Sequence, residues 1–418
     1  MSIRSINQHS LIVILIFGFS FLLLIYSTQQ INLTYDSTKY LNAAKSLKSS
    51  GELLTRDGQS FTNWAPLFPL ILSTFGGDLG IYKYFNLLIF LLLEFAMILL
   101  IMNLIQDKLL QIICSIWLAF STPILMQFNF LWSEPLFITL LIFKILFFLK
   151  FQKTTKKGYY FALMALGILL CLQRYAGFFI VPAFALMLIA SKKINRHSLL
   201  SGLLYGIVSV LPLLIWIGSI YQQKGVGFSA FAANLFVRFM PNLFRSYYQD
   251  IFFSWFLPNK LVFQLGLYYS FVFLILLIIV WWKTKFWFTR DQMLLITISL
   301  VYYLFLLLID YSYLNDKVKD FSYLSDFGRY LAVLYAPVLL LLFSIMDQKT
   351  VLVPVFHKRV LFILLFIWSL YPICRTIKNT IHWKNYSQQS TVIIRSKVTL
   401  IIERPMNTNN YKKRITDT

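Results

Sequence analysis

Residues 81–105 read IYKYFNLLIFLLLEFAMILLIMNLI, an apolar run with Lys83 near its start and a single acid, Glu94, at its centre. A helix crosses the hydrocarbon of a bilayer with about 20 predominantly apolar residues, so this stretch predicts a transmembrane helix. Similar runs lie at 11–26, 109–128, 134–151, 159–172, 177–190, 199–221, 261–282, 292–309, 330–346 and 360–373. The sequence therefore predicts an all-α, polytopic membrane helical bundle of about eleven spans.

The composition of the whole chain supports the same class. Of the 418 residues, 59% are hydrophobic, 18% are aromatic and only 13% are charged. A soluble protein of this size could not hide so much apolar surface, and a disordered chain would be far more polar. The formal net charge is +22, which fits basic cytoplasmic loops, and we expect no binding of nucleic acid.

The distribution of basic residues predicts an orientation. Lys and Arg collect in the stretches 150–157, 191–197, 283–290 and 347–359, which we place on the inner side. The longer connections 28–82, 222–260 and 310–326 then face outward, so the working surface is expected there. We divide the chain into a transmembrane catalytic domain, 1–373, and a basic tail, 374–418. With eleven spans the tail would lie on the outer side, whereas the positive-inside rule favours the inner side for so basic a segment. The three cysteines, Cys114, Cys171 and Cys374, form no disulfide or metal motif.

Two carboxylates are predicted at the outer boundary. Asp36 begins a stretch in which Tyr40, Ala43 and Ala44 recur at helical spacing, and this predicts a short amphipathic helix on the membrane surface. Asp36 either caps that helix or serves as a base. Glu134 opens the fourth span, where the helix dipole favours a negative charge. Because both acids come out on one face, they can also act together, as base and supporting acid or metal ligand.

Two arginines lie at the same level. Arg174 stands between two apolar runs, and Arg329 opens the tenth span. Each can bind a phosphate, because a guanidinium matches phosphate geometry. The alternatives are that Arg174 snorkels to lipid headgroups and that Arg329 forms a local ion pair with Asp326. Arg238 and Arg245 are weaker candidates of the same type. For Glu94 we favour a protonated carboxyl bonded to a neighbouring helix over a functional site.

Taken in order, several short motifs resemble the GT-C integral-membrane glycosyltransferases, the superfamily of the protein O-mannosyltransferases and the aminoarabinose transferase of lipid A. The matching stretches are DSTKY at 36–40, WAPLFPL at 64–70, SEPLF at 133–137, RYAGF at 174–178 and GRYL at 328–331. The resemblance implies a GT-C-like first outer loop carrying amphipathic helices. It also implies a polyprenyl-phosphate sugar donor used on the outer or lumenal face.

The resemblance also suggests roles for individual residues. Asp36 would be the catalytic base, and Glu134 would lie beside it in the same cavity. The candidate substrate-binding residues are Lys39, Tyr40, Trp64, Arg174, Tyr175, Arg329 and Tyr330, with the two arginines on the donor phosphate. Relatives often carry a second acid directly after the first, where this chain has Ser37, and this weakens a metal-dependent interpretation. We expect no obligatory cofactor and leave a divalent cation open.

Three classes of function remain after the sequence analysis. The first is a glycosyltransferase with a lipid, glycan or protein acceptor, in contact with membrane lipids and located in a bacterial inner (plasma) membrane. The second is a lipid-linked oligosaccharide polymerase or ligase. This class would be favoured if activity depended mainly on a pair of arginines in the outer loops and did not require Asp36. The third is a lipid or solute transporter, which would need polar groups through both leaflets, where Glu94 is the only deep acid.

Overall fold

The computed structural model describes residues 8–61, 64–190, 195–224, 247–258, 261–262, 288–309, 326–350 and 355–402. Within these ranges the regular elements are helices, with two isolated β-bridges. In chain order they are α1 Gln8–Ser27, α2 Tyr35–Ser50, α3 Leu67–Thr74, α4 Leu79–Leu104, α5 Lys108–Ala119, α6 Thr122–Gln127, α7 Glu134–Thr154, α8 Lys157–Gln173, α9 Ala176–Ala190, α10 Arg196–Lys224, α11 Tyr247–Phe256, α12 Arg290–Ile309, α13 Asp326–Leu331, α14 Tyr335–Thr350 and α15 Val355–Ile402. The predicted all-α class is confirmed.

Several of the helices are long and apolar enough to cross a membrane. Among the described residues there are six of these, at Gln8–Ser27, Leu79–Leu104, Lys108–Gln127, Arg196–Ser219, Gly328–Lys349 and Phe356–Lys384. Two shorter apolar helices, α8 and α9, lie between them in the chain. This is the architecture of a multi-pass integral membrane protein. The number of eleven spans stays a prediction, and most of the predicted span 261–282 lies outside the described residues.

Two of the predicted spans contain breaks. The run 109–128 is divided into α5 and α6, because the Ser121 side chain accepts a hydrogen bond from the backbone N–H of Ile124 at 3.2 Å and Pro123 lies in the first turn of α6. The run 330–346 begins in α13, passes through a 3₁₀ turn at Ala332–Leu334 and continues as α14. In contrast, α15 continues without interruption across the predicted domain boundary at 373/374.

A small second core lies on one side of the main helical bundle. It gathers Tyr40, Ala43 and Ala44 of α2 against Phe68 of α3 and Tyr82 at the start of α4. The predicted amphipathic helix is therefore confirmed as α2. Its apolar face is covered by protein, with Tyr40 only 2% exposed, and its position on the membrane surface stays a prediction.

The start of α2 is attached directly to the chain that leads into α7. Asn32 and Phe130 form a parallel β-bridge, in which the Asn32 N–H donates to the Asn129 carbonyl at 3.0 Å. The Ser37 hydroxyl, inside the first turn of α2, donates to the Leu131 carbonyl at 2.9 Å. These contacts place the first turns of α2 and α7 side by side, and those two turns carry the two predicted carboxylates.

Candidate active site

The two predicted carboxylates and the two predicted arginines form one chain of ion pairs. Arg329 bridges the acids: its Nη2 donates to Asp36 Oδ2 at 2.7 Å, and its Nε lies 2.8 Å from Glu134 Oε1. The same Glu134 oxygen lies 2.6 Å from Arg174 Nη1. The side chains run in the order Asp36, Arg329, Glu134, Arg174. Two negative and two positive charges therefore balance within the cluster, as buried charges require.

This arrangement overturns two simpler interpretations. Thr34, not Asp36, is the N-cap residue of α2, in a capping box with Ser37, so Asp36 does not cap the helix. Arg174 does not snorkel to headgroups, since it pairs with Glu134 and its side chain is 15% exposed. The side chain of Asp326, the predicted local partner of Arg329, lies outside the described residues, as do Arg238 and Arg245.

The two acids differ in how far they can be reached. The Glu134 side chain is 1% exposed, whereas that of Asp36 is 18% exposed. A carboxylate that is buried and held by two guanidinium groups has little freedom to meet a substrate. Asp36 is the acid that remains open to one.

Arg174 is presented by a tight turn between α8 and α9. Its N–H donates to the Leu170 carbonyl at 3.1 Å, and the Gly177 N–H returns to the Arg174 carbonyl at 2.8 Å. A Cβ atom on Gly177 would lie only 2.4 Å from the Leu170 carbonyl group, so only glycine lets α9 approach α8 this closely. Burial alone would lower the pKa of Arg174, but the neighbouring Glu134 carboxylate raises it above the ordinary value. The guanidinium is therefore charged.

Arg329 is held from several sides. The Gln127 side-chain amide donates to the Arg329 carbonyl at 3.2 Å, and Arg329 Nη2 donates to the Tyr330 hydroxyl at 3.0 Å. The guanidinium carbon lies 4.9 Å from the ring centroid of Trp132. A planar cation between hydrogen bonds and an aromatic face is fixed in orientation as well as in position.

A cavity of about 150 Å³ lies beside this cluster. Its lining includes the polar side chains of Tyr40, Ser133, Gln173 and Arg174 and the apolar side chains of Phe305 and Leu306. Trp64, Ala65, Tyr175, Ala176, Tyr302 and Tyr330 complete the lining. The Tyr40 hydroxyl lies 3.3 Å from Ser133 Oγ, and burial raises the pKa of Tyr40, so its hydroxyl keeps its proton. The cavity can accept a group that is charged at one end and apolar at the other.

Comparison with known proteins identifies a related fold. No family model matches the chain, and no curated protein matches it. Among solved structures, the crystal structure of ArnT from Cupriavidus metallidurans bound to undecaprenyl phosphate is similar, with a TM-score of 0.50 and 12% sequence identity. The match covers 81% of this chain and 60% of ArnT, so the chain spans less than two thirds of that protein's length.

The fold of this chain is similar to that of ArnT. At this identity the match to ArnT establishes the architecture alone, and the predicted roles of the site residues stay predictions. The structure brings most of those residues together. Asp36, Glu134, Arg174 and Arg329 form the ion-pair cluster, and Tyr330 contacts Arg329. Tyr40, Trp64 and Tyr175 line the adjoining cavity, and the Lys39 ammonium lies 5.0 Å from the ring centroid of Trp64.

Sequence reasoning missed several residues of the site. Ser133 and Gln173 each stand next to a predicted residue: Arg174 Nη1 donates to Ser133 Oγ at 2.7 Å, and the Gln173 amide donates to the Ser133 carbonyl at 2.8 Å. Their place directly beside Glu134 and Arg174 could have drawn attention to them. Tyr302, whose hydroxyl donates to the Tyr330 carbonyl at 3.1 Å, lies in a plain apolar run that carries no such signal.

The two carboxylates offer a poor fit to a metal ion. Each already has an oxygen paired with an arginine. In the part of the chain that the structure describes, no group of three or more His, Cys, Asp or Glu side chains could hold a metal ion. A divalent cation at this site therefore stays a prediction.

The deep acid lies outside this site. Glu94 on α4 accepts a hydrogen bond from the Ser20 hydroxyl on α1 and is 5% exposed. This agrees with the favoured interpretation, a carboxyl bonded to a neighbouring helix. The geometry gives Glu94 a role in joining two helices.

Proposed function

We propose that the protein is a membrane glycosyltransferase that moves a sugar from a polyprenyl-phosphate donor to an acceptor on the outer membrane face. The observation that supports this best is the ion-pair chain from Asp36 to Arg174, because it joins a partly exposed carboxylate to two arginines, one of which, Arg174, lines a cavity. The GT-C-like fold shared with ArnT, a protein seen with undecaprenyl phosphate bound, supports the donor class.

Asp36 is the base in this proposal. The acceptor hydroxyl gives its proton to the Asp36 carboxylate while the acceptor oxygen forms a bond to the anomeric carbon of the sugar. The bond between that carbon and the phosphate oxygen breaks, and its electron pair leaves with the lipid phosphate. Asp36 suits this step, since it is the more exposed of the two acids.

Arg174 and Arg329 stabilise the leaving phosphate. Negative charge develops on its oxygens as the bond to the sugar breaks, and fixed guanidinium groups stabilise that charge without rearranging. Arg174 lines the cavity next to Tyr175 and Ala176. The apolar side chains of Phe305 and Leu306 in the same lining suit the first part of a polyprenyl chain.

Glu134 acts through the arginines as a positioning residue. Its carboxylate is buried and paired with both guanidinium groups, which fixes their separation and offsets their charge before a donor arrives. An incoming phosphate would compete with the carboxylates for these cations. In this proposal Glu134 holds the phosphate-binding arginines in place and does not itself contact the reacting atoms.

The test is sugar transfer from a panel of polyprenyl-phosphate sugars in membranes, with wild type and Asp36→Asn at equal expression. Loss of a general base lowers the rate by roughly 10²–10⁴-fold. Glu52→Gln is the matched control, because it also converts an acid to an amide but lies exposed after α2. Unchanged transfer by a folded Asp36→Asn protein would contradict the assignment and favour the polymerase or ligase. No transfer by wild type from any donor would contradict the proposed function.

A further inference from the structure

A second cavity, of about 470 Å³, shares Trp64 with the first. One wall is a single face of α2, with Tyr35, Thr38, Lys39 and Asn42 at the i, i+3, i+4 and i+7 positions. The opposite wall is the short hairpin after α2, which contributes Thr55, Arg56, Asp57, Gln59, Ser60 and Phe61. The polar face of the amphipathic helix thus lines a pocket, while its apolar face builds the small core.

Backbone hydrogen bonds between its own residues close the hairpin. The Thr55 N–H donates to the Gln59 carbonyl at 2.6 Å, and the Phe61 N–H donates to the Leu53 carbonyl at 2.9 Å. Gly58, at φ 72°, makes the turn. The side chains therefore supply most of the recognition groups in this cavity.

The side chains of the cavity have a mixed but consistent chemistry. Neutral hydroxyl and amide groups form the largest set, from Thr38, Asn42, Thr55, Gln59 and Ser60, and Lys39, Arg56 and Asp57 add charged groups. Aromatic rings stand among them, and the Lys39 ammonium lies 4.2 Å from the ring centroid of Tyr35 and 5.0 Å from that of Trp64. Amides and hydroxyls pair with sugar hydroxyls, and aromatic faces cover the apolar faces of sugar rings. A lipid chain would find few apolar contacts here.

Trp64 links the two cavities, because it lines both. Asp36 stands on α2 between Tyr35, which lines the polar cavity, and Tyr40, which lines the cavity beside the arginines. We infer that the polar cavity, the one lined by α2 and the hairpin, is the acceptor subsite and that it binds a saccharide headgroup. One hydroxyl of the bound saccharide then reaches Asp36 by way of Trp64. This inference rests on the proposed function and adds to it the substrate class of the acceptor.

The experiment measures saccharide binding directly, without donor. Saturation-transfer NMR on the purified full-length protein is carried out with a panel of neutral, amino and acidic disaccharides. A threonine-containing hexapeptide serves as the competing probe. We expect contacts to at least one disaccharide and none to the peptide. In the Asn42→Leu and Gln59→Leu variants, binding weakens about tenfold for each pair of hydrogen bonds removed. Gln30→Leu is the matched control, since Gln30 is exposed and lies outside both cavities.

The outcomes separate this inference from the function on which it rests. Equal thermal midpoints for the three leucine variants and wild type would show that folding is unchanged. Binding of the hexapeptide alone would overturn the saccharide assignment in favour of a protein acceptor, and binding of no probe would overturn the subsite. If Asp36→Asn abolishes transfer while no disaccharide binds, the inference fails alone. If a disaccharide binds but wild type transfers from no polyprenyl-phosphate donor, the proposed function fails and the saccharide site remains.

Discussion

Replacing Glu134 with glutamine removes the charge that holds both arginines of the site. The side chain is 1% exposed, and its partners Arg174 and Arg329 are 15% and 5% exposed, so water can do little to compensate. Breaking a buried ion pair by removing one partner costs about 3–5 kcal/mol. We expect the lower end, about 3 kcal/mol, because glutamine keeps an acceptor oxygen and Arg329 keeps Asp36.

The assay is the thermal unfolding midpoint of the purified protein in detergent. A loss of about 3 kcal/mol lowers the midpoint by on the order of 5 °C in a chain of this length. Glu94→Gln is the matched control, since it makes the same change at a buried carboxyl whose described partner is a serine hydroxyl. We expect that control to cost under about 1 kcal/mol. Equal midpoints for the two variants would refute the argument that Glu134 balances the arginines.

A double variant tests the same reasoning from the other side. Changing Glu134 and Arg174 together to glutamine removes one charge of each sign and leaves the remaining pair, Arg329 with Asp36, balanced. The double variant should therefore be more stable than the sum of the two single effects predicts, by about 1–3 kcal/mol. Strict additivity would show that the two side chains do not depend on each other for stability.

Two further variants test the surrounding structure. Gly177→Ala adds a Cβ that would lie 2.4 Å from the Leu170 carbonyl group, and overpacking of this kind lowers the free energy of unfolding by about 1–3 kcal/mol. Because the clash displaces Arg174, sugar transfer should fall about tenfold or more. Gly18→Ala is the control: its Cβ would meet nothing within 4 Å, so stability and transfer should both be unchanged. Lys358→Met tests Asp107, where burial raises the pKa but the hydrogen bonds from Lys358 and from the backbone of α5 lower it below its ordinary value of 3.8. A carboxyl whose pKa is lowered on folding stabilises the folded protein at pH values above its ordinary pKa, and this stabilisation is lost as the pH falls through the lowered pKa. The difference in thermal unfolding midpoint between wild type and Lys358→Met should therefore be constant above about pH 5 and shrink below about pH 4. A difference independent of pH would contradict the role of this pair.

The helical class and the approximate position of the site follow from local signals in the sequence. Long apolar runs predict helices because a lipid-exposed backbone must satisfy its own hydrogen bonds. The break at Ser121 was also predictable, since a serine followed by a proline two residues later is a helix-start signal. The length of the apolar run alone does not reveal this break, because the run continues through it.

The pairing within the site could not be predicted from local signals. Arg329 and Asp36 are separated by 293 residues, and nothing near either one specifies the other. Arg329 has an acid three residues before it, and this made a local ion pair the simpler interpretation. The actual pairing depends on the tertiary arrangement that brings α13 to the first turns of α2 and α7.

Ser37 links the local sequence to the charge balance of the site. In the glycosyltransferases that the motifs resemble, a second acid often follows the first, and here Ser37 occupies that position. Its hydroxyl accepts a hydrogen bond from the Thr34 N–H at 2.9 Å and donates one to the Leu131 carbonyl at 2.9 Å. An ionised aspartate could not donate to that carbonyl, and it would add a third negative charge beside two arginines that are already balanced. At this position the chain therefore keeps the contact that holds α2 against the entry to α7, and the acidity of the site is left to Asp36 and Glu134.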